Sequence, residues 1–416
     1  MASNKEYKWD YNDPDILEPH TDAKLRIIQK YTERYVDTLN TTPRQDVLRL
    51  TIVDGFCGGG IYKTPDTGEI AFGSPIIARE AVEKAEKTIN LNRIKPFVVD
   101  ADYFYIDKKS EAINCLNKVL KDKGFDDDKT KVYQSSFDER VDEIIEFIQK
   151  KGRAHRSLFI LDQYAYKDVS IVTINKILRE LKNSEIVCTI NVESFSKYMT
   201  DKDDQSRNTL SRYNLPDPFK GKTIEQIKSL GKVESNLFIQ SAWVQNLVQE
   251  ASVPFYRPFF IRSGSGYGNY LLLHFSKHYR ASDVMTQIHW AEHDNFINFL
   301  GPGLDMFNCL VHESKEQFKG HLFDNNNIKE STRVMTEQIP EIIYQNDHGL
   351  TLETFFATTC NFTPAHWGMY QEVIFKLFQE KELEIITSSG GTRQVANTIK
   401  TTDIIRPPSN YPIRFL

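Results

Sequence analysis

Three apolar runs, each closed by an acid, frame the first half of the chain. Ile52-Val53 ends in Asp54 and breaks into Gly55-Phe56-Cys57-Gly58-Gly59-Gly60. Tyr103-Phe104-Tyr105-Ile106 ends in Asp107, and Ser157-Leu158-Phe159-Ile160-Leu161 ends in Asp162. Between them, apolar residues recur at helical spacing. Thr21 is placed to cap a helix to about Leu39, with Leu25, Ile28, Tyr31, Tyr35 and Val36 on one face. Ser74-Pro75 opens a second helix to about Thr88. Ser110 to Lys123 is a third, stopped by Gly124. Asp138 to Lys151 and Ile171 to Leu181 follow as helices, and Lys131 to Tyr133 and Glu185 to Ile190 as strands. The strand from Pro96 to Asp107 is expected to be bent or doubled, because Phe97-Val98-Val99 is a separate apolar run. Strands alternating with helices predict a mainly parallel sheet with crossover helices.

The pattern changes after Thr200. A polar stretch and two helices, Thr223 to Leu230 and Val233 to Gln249, read as an insertion over about 200–252. Phe255 to Ile261 and Asn269 to Phe275, joined by residues 262–268, read as a hairpin and hence an antiparallel sheet edge. Methyltransferase sheets end in such a hairpin and dinucleotide-binding dehydrogenase sheets do not, so the hairpin opposes a dehydrogenase. In the tail, Val334 to Gln345, Thr351 to Thr359 and a helix opened by Thr363-Pro364 and running to about Lys381 precede a strand, Glu382 to Thr387. After the turn Ser388-Ser389-Gly390-Gly391, Gln394 to Ile405 returns, which makes a winged-helix pattern. Its third helix carries little positive charge, with His366 and Lys376, while the hairpin carries Arg393, Lys400 and Arg406. A base-reading helix is richer in Arg, Lys, Asn and Gln, so docking or dimerisation is favoured over reading of bases. The expected fold is α/β: a Rossmann-like seven-stranded methyltransferase sheet with a terminal antiparallel hairpin, a helical insertion and a C-terminal winged-helix-like domain. The expected division is an arm over 1–19, read as loose, a class I methyltransferase-like domain over 20–330, and the winged-helix-like domain over 331–416.

Composition adjusts this picture at a few points. A chain of 416 residues exceeds the roughly 100–200 residues of one domain. The net charge of −5 offers no broad phosphate-neutralising surface, although a local basic groove is compatible with it. The five cysteines are scattered, with no C-x-x-C pair, so no zinc site is expected and a reducing cytoplasm fits. Cys57 in the glycine turn reads as a space-filling residue. Met1 to Glu6 has no apolar core, so no signal peptide is read there, and no run reaches the ~18 apolar residues of a membrane span. His289 and His293 are four apart but lack an H-E-x-x-H arrangement. With His274 and His278 they read as structural or surface histidines, and no metal site is expected.

The three strand ends carry the chemistry. Ligands of open α/β sheets bind outside the carboxyl ends of the strands. Asp54, Phe56, Gly58 and Gly60 would shape the methionine end of an S-adenosylmethionine pocket. Asp107 would accept the ribose hydroxyls, or else cap the following helix. Ser136 and Asp138 lie where the adenine amine would be held, and either could equally cap the next helix. Asp162, followed by Gln163-Tyr164-Ala165-Tyr166, would sit over the reacting end, with Tyr164 or Tyr166 stacking on a flipped-out base. His20 and Lys24, at the start of the first helix, could close over the cofactor. These residues suggest a methyltransferase acting on a nucleic acid base or related substrate. The alternative is a non-catalytic adaptor that keeps the fold and binds S-adenosylmethionine or a partner.

Several of these pieces together resemble the three-Cys-motif partner proteins. They are His20-Thr21-x-x-Lys24, Asp54 to Gly60, Gly73-Ser74-Pro75, Tyr105-Ile106-Asp107, Phe159 to Asp162 and the winged-helix-like tail. The resemblance spans most of the chain. It implies a class I methyltransferase-like fold and a partner with a cysteine motif, suspected of binding an iron–sulfur cluster. The chain departs from that pattern at Gln163, where Pro is common, and at Cys57, where Ala is typical. The oligomeric state is not legible in the sequence.

Overall fold

The computed structural model describes residues 8–40, 45–162, 169–191, 221–229, 238, 251, 253–263, 266–292, 296–298, 303–304, 321–322, 325–387 and 389–409. They form two compact units, divided between Lys277 and His278. The boundary expected from sequence lay at 330/331.

The first unit contains, in order, α1 (Pro19–Leu39), β1 (Val47–Asp54), β2 (Ile61–Lys63), β3 (Ile70–Phe72), α2 (Ser74–Asn90), β4 (Val98–Asp107) and α3 (Ser110–Lys123). Then come β5 (Thr130–Gln134), α4 (Phe137–Lys150), β6 (Arg156–Asp162), α5 (Ile171–Glu180), β7 (Ser184–Asn191), α6 (Ile224–Lys228), β8 (Phe255–Ser263) and β9 (Gly266–Ser276). Seven strands are joined in the order β8-β9-β7-β6-β1-β4-β5. The five from β7 to β5 are parallel, and β9 runs antiparallel to both β7 and β8. This is the expected mixed sheet with its hairpin at one end. The central strands are apolar on both faces because helices cover both: Leu50, Ile52 and Val53 of β1 and Phe159 and Ile160 of β6 are all buried. Strand order reverses at β1, between β4 and β6, and such a switch point opens a ligand crevice at the carboxyl ends.

Several expectations change in detail. β4 is one ten-residue strand, paired without a break from Val47↔Val98 to Asp54↔Tyr105. The connection after the glycine turn folds into a small ribbon of β2 and β3. α1 starts before Thr21, with Glu18 at the cap and Pro19 in the first turn, which frees Thr21 to be buried. Gly73 holds the cap position of α2, so Ser74 stands inside the first turn. The hairpin turn is tighter than expected, with a register shift between Ile261 and Ser263. Of the insertion, residues 221–229 with α6, Phe238 and Ala251 are described, and apart from Phe238 the helix expected over 233–249 lies outside the described residues.

The segment from Lys8 to Glu18 is strapped down, not loose. Leu17 donates its amide to the Lys63 carbonyl at 2.7 Å, and Lys63 donates back to Asp15 at 2.9 Å. Trp9 meets Tyr62 edge-on at 5.6 Å.

The second unit comprises α7 (Tyr279–Ala291), β10 (Phe296–Asn298), β11 (His321–Leu322), α8 (Asn325–Ile343), β12 (Leu350–Thr351), α9 (Leu352–Thr359), α10 (Trp367–Gln379), β13 (Glu384–Ile386) and β14 (Ile404–Arg406). Met335 and Ile339 from α8, Phe355 and Phe356 from α9, and Tyr370 and Val373 from α10 share a core, under a sheet ordered β12-β14-β13. That is a winged helix, with β12 as an unforeseen third strand. α10 begins at Trp367, capped by His366, because Cys360–Phe362 forms a 3-10 turn ahead of it. Burial pushes His366 down to about 4. The return strand is only Ile404–Arg406.

The wing spends its arginines internally. Arg393 donates twice to Asp403, at 2.7 and 2.6 Å, and Arg406 reaches Glu384 at 2.8 Å. Asp403 is fully buried and Arg393 partly exposed. Arg393→Ala leaves that carboxylate unpaired and is expected to cost about 2 kcal/mol, below the 3–5 of a wholly buried pair. Urea unfolding of the full chain, followed through the transition of the second unit, checks this. Among the described residues no helix is long and apolar enough to cross a membrane.

Candidate active site

The site is built at the carboxyl ends of three neighbouring strands, β4, β1 and β6, which place Asp107, Asp54 and Asp162 side by side. The turn after β1 is shaped by Gly58 and Gly60, at φ +57 and +75, a left-handed conformation that glycine adopts without a Cβ penalty. A Cβ on Gly58 would also stand 2.7 Å from the Trp9 indole. The turn is stitched to its neighbours. Cys57 donates its amide to Ile106 at 3.0 Å, and Gly73 donates to Gly60 at 2.8 Å. Cys57 is buried, and burial pushes its thiol well up, which suits a packing residue and not a nucleophile.

Asp107 serves the turn on both sides. One oxygen accepts the Gly58 amide at 3.1 Å. The other accepts the Lys109 amide at 2.9 Å, so it braces the entry to α3 as well as facing the glycine turn.

Asp54 is wholly buried. Its Oδ1 accepts the Phe56 amide at 3.1 Å, and its Oδ2 is buried with no hydrogen bond of good geometry. Burial pushes this carboxyl up to about 7, against the pull of the Ser74 hydroxyl and the Phe56 amide, with Asp162 and Asp107 adding to the rise. Phe56 is half-buried, 6.5 Å from Phe137.

Asp162 meets Lys24 of α1. The Lys24 ammonium donates to both carboxylate oxygens, at 2.8 and 2.6 Å, with side-chain exposures of 8% for Lys24 and 27% for Asp162. The ammonium also lies 5.3 Å from the centre of the Tyr270 ring. His20 stacks on that ring at 4.5 Å and 11°, and its Nδ1 is 3.3 Å from Glu18. Burial, then the Lys24 charge, lowers His20, so its imidazole is neutral at pH 7. Tyr270 stands opposite Asn191 at the carboxyl end of β7. It escaped notice in the sequence because its place depends on the register of the hairpin; an aromatic beside the glycine-rich turn was its one signal.

Ser136 and Asp138 are used by helix α4. Ser136 caps it in a reciprocal box with Glu139, and its amide reaches the Glu139 carboxylate at 3.0 Å. Hydrogen bonds from Ser135 and Ser136 bring Glu139 down to about 2. Asp138 accepts the Thr173 hydroxyl at 2.9 Å and ties α4 to α5. The turn still borders the site, since the Ser135 amide donates to the Asp107 carbonyl at 3.0 Å. Tyr164 and Tyr166 lie outside the described residues. Among the described residues no cluster of His, Cys, Asp and Glu could hold a metal ion. His274 is buried against the Tyr31 hydroxyl at 2.8 Å and Glu185 at 3.2 Å, His289 is buried and His278 caps α7. His293 lies outside the described residues.

The family model of the GMT-like wHTH domain matches residues 313–390. This agrees with the winged helix of the second unit and covers too little of the chain to place the whole. No curated protein sequence matches the chain. Among solved structures, WbdD bound to a kinase inhibitor is 12% identical over 62% of this chain and 41% of its own, with a TM-score of 0.33. The chain therefore spans well under half of that protein. A SAM-dependent methyltransferase from Agrobacterium tumefaciens is 12% identical over 63% of each chain, TM-score 0.30. SMU.1697c from Streptococcus mutans, solved with SAH, is 12% identical over 59% of this chain and 96% of its own, TM-score 0.27. At such scores these likenesses carry no argument about function. The strand order and the residues at the strand ends carry it.

Proposed function

We propose that the chain is an S-adenosylmethionine-dependent methyltransferase acting on a nucleic acid base or a related substrate. One observation carries the reading: the buried, unpartnered Oδ2 of Asp54 at the switch point of the sheet, between Asp107 and Asp162. A buried carboxylate oxygen without a donor costs several kcal/mol, and a cationic ligand relieves that cost. The α-ammonium and sulfonium of the cofactor have the required charge. Asp54 would take the ammonium, the Cβ-free turn at Gly58 and Gly60 would take the methionine end beside Phe56 once the Trp9 indole that lies against Gly58 gives way, and Asp107 would accept the ribose hydroxyls in place of the Gly58 amide. When bound, the cofactor supplies an electrophilic methyl group.

The protein's own part is orientation. Asp162 would accept a hydrogen bond from the amine or hydroxyl that is methylated and so align its lone pair. Lys24 holds Asp162 in one rotamer. Ser136 would contact adenine only by yielding part of the α4 cap, and Asp138 only by giving up its hydrogen bond from Thr173. Stacking of a flipped base by Tyr164 or Tyr166 is part of the same proposal. The resemblance to three-Cys-motif partner proteins adds a cysteine-motif protein as the expected partner, which affinity purification with tagged full chain tests.

Titration calorimetry of the purified chain with S-adenosylmethionine tests the central claim. One-to-one binding is expected, and NADH is expected to give no heat. Absence of S-adenosylmethionine binding by a folded sample sinks the reading. Affinity is expected to rise with pH up to about 7, where Asp54 ionises. It should fall again above about 8, where an α-amino group loses its proton.

A further inference from the structure

The amino ends of the parallel strands play no part in the site, yet unpaired positive charge gathers there. Arg49 lies on β1, Arg156 opens β6, Lys182 stands just before β7, and Arg153 sits between α4 and β6. The three strands are neighbours, with Leu50 opposite Arg156 and Ser157 opposite Ser184. Adjacent strands lie about 4.8 Å apart, so the cations are gathered across the starts of three neighbouring strands. Asn183 fixes the row. Its amide donates to the carbonyls of Arg153 at 2.8 Å and His155 at 3.3 Å, and its own carbonyl accepts the Ser157 amide at 3.0 Å. Two clefts, of 320 and 350 Å³, meet at Asn183. Arg153 and Lys182 line the first, and Arg49 and Arg156 line the second.

The acids nearby are already engaged. Asp46 pairs with Lys95, Asp100 with Lys129, Asp102 with Lys151 and Glu180 with Arg179. Among the described residues Arg49, Arg153, Arg156 and Lys182 form no ion pair. In a chain with 57 acidic residues against 52 lysines and arginines, such a row runs against the overall charge.

We propose that this row docks the phosphate backbone of a nucleic acid strand. Cations spread along the starts of three neighbouring strands suit a polymer with one charge per unit. A small anion calls for donors that converge on one point, and these are spread over three strands. Three of the four cations are arginines, whose planar fork matches phosphate. Apart from His155, no aromatic side chain lines either cleft, so bases are not stacked there and binding is independent of sequence. Arg49 stands five residues before Asp54 and Arg156 six before Asp162, which puts the row roughly 17–20 Å from the strand-end acids. It would grip nucleotides away from any reacting base. The inference stands apart from the methyl-transfer reading, because it needs no cofactor.

The test is fluorescence anisotropy of the full chain with a labelled single-stranded 20-mer over a salt series. Binding independent of base sequence is expected. Arg49→Glu, Arg153→Glu and Lys182→Glu together should weaken it at least tenfold and reduce the log–log salt slope by about 2, at about 0.7 for each lost phosphate contact. Lys30→Glu, Lys87→Glu and Lys121→Glu together change the net charge equally and should keep the slope. If the first triple variant fails to fold, Arg153→Gln with Lys182→Gln should still lower the slope by about 1.4. The proposal is overturned if the wild-type chain does not bind, or if both triple variants lose binding equally or neither does. It is overturned equally if inorganic phosphate or polyglutamate displaces the chain as well as unlabelled oligonucleotide.

Discussion

Asp54→Asn is expected to abolish S-adenosylmethionine binding while stabilising the cofactor-free protein above pH 7. Asp54 is fully buried, and desolvation is the main cause of its rise from 3.8 to about 7. The sign follows from linkage. A carboxyl whose folded pKa lies above its unfolded value binds an extra proton in the native state, so native stability falls as pH rises from about 4 to about 7. Three units at 1.36 kcal/mol each put the full cost at about 4 kcal/mol above pH 7. Asparagine removes the ionisation and keeps the shape, but its amide hydrogens need partners in the same buried space, which returns part of the gain. A net stabilisation of about 2 kcal/mol near pH 8, turning into a destabilisation of about 2 kcal/mol near pH 4 where only the amide penalty remains, is therefore expected in urea unfolding. Binding responds the other way, because the ammonium of the cofactor loses its counter-charge. A loss of at least a hundredfold in affinity corresponds to about 2.7 kcal/mol. The rise in affinity with pH below 7 should vanish with it. If the variant binds S-adenosylmethionine as the wild type does, the buried oxygen is not the cofactor's partner.

The positions of these acids were legible in the sequence because each closes an apolar run long enough to be a buried strand. The sheet followed from strand and helix alternation, and its antiparallel end from the paired runs after Phe255. Contacts across long sequence distances were not legible. Tyr270 joins the site only through the pairing of β9 with β7, and Lys24 and Asp162 are 138 residues apart. Their pairing depends on where α1 packs. The strapping of the amino-terminal segment depends on β2, a strand of only three residues with too little pattern to show. Ser136 and Asp138 illustrate a different limit. A Ser three residues before a Glu reads equally as a cap and as a ligand contact, and the folded chain shows the cap.

The charge pair at the mouth of the site separates binding from chemistry. Lys24 is nearly buried and its ammonium is held by both oxygens of Asp162. Asp162→Asn leaves that cation without a counter-charge, close to where the cofactor would bring its sulfonium. Two like charges in a partly buried site repel, and solvent at the partly exposed mouth screens part of this. Affinity for S-adenosylmethionine should fall at least tenfold, and stability by about 2 kcal/mol. Replacing both residues, Lys24→Met with Asp162→Asn, removes both charges. The double variant should regain stability and bind the cofactor within about threefold of wild type. Methyl transfer to bulk RNA or DNA, read as release of S-adenosylhomocysteine, should stay down by about a hundredfold or more, the scale of losing a positioned hydrogen-bond acceptor in the transition state. Recovery of binding without recovery of transfer assigns Asp162 to the target. Full recovery of both would reduce Asp162 to a counter-ion for Lys24, and failure to recover binding would mean that the pair shapes the pocket by packing and not by charge.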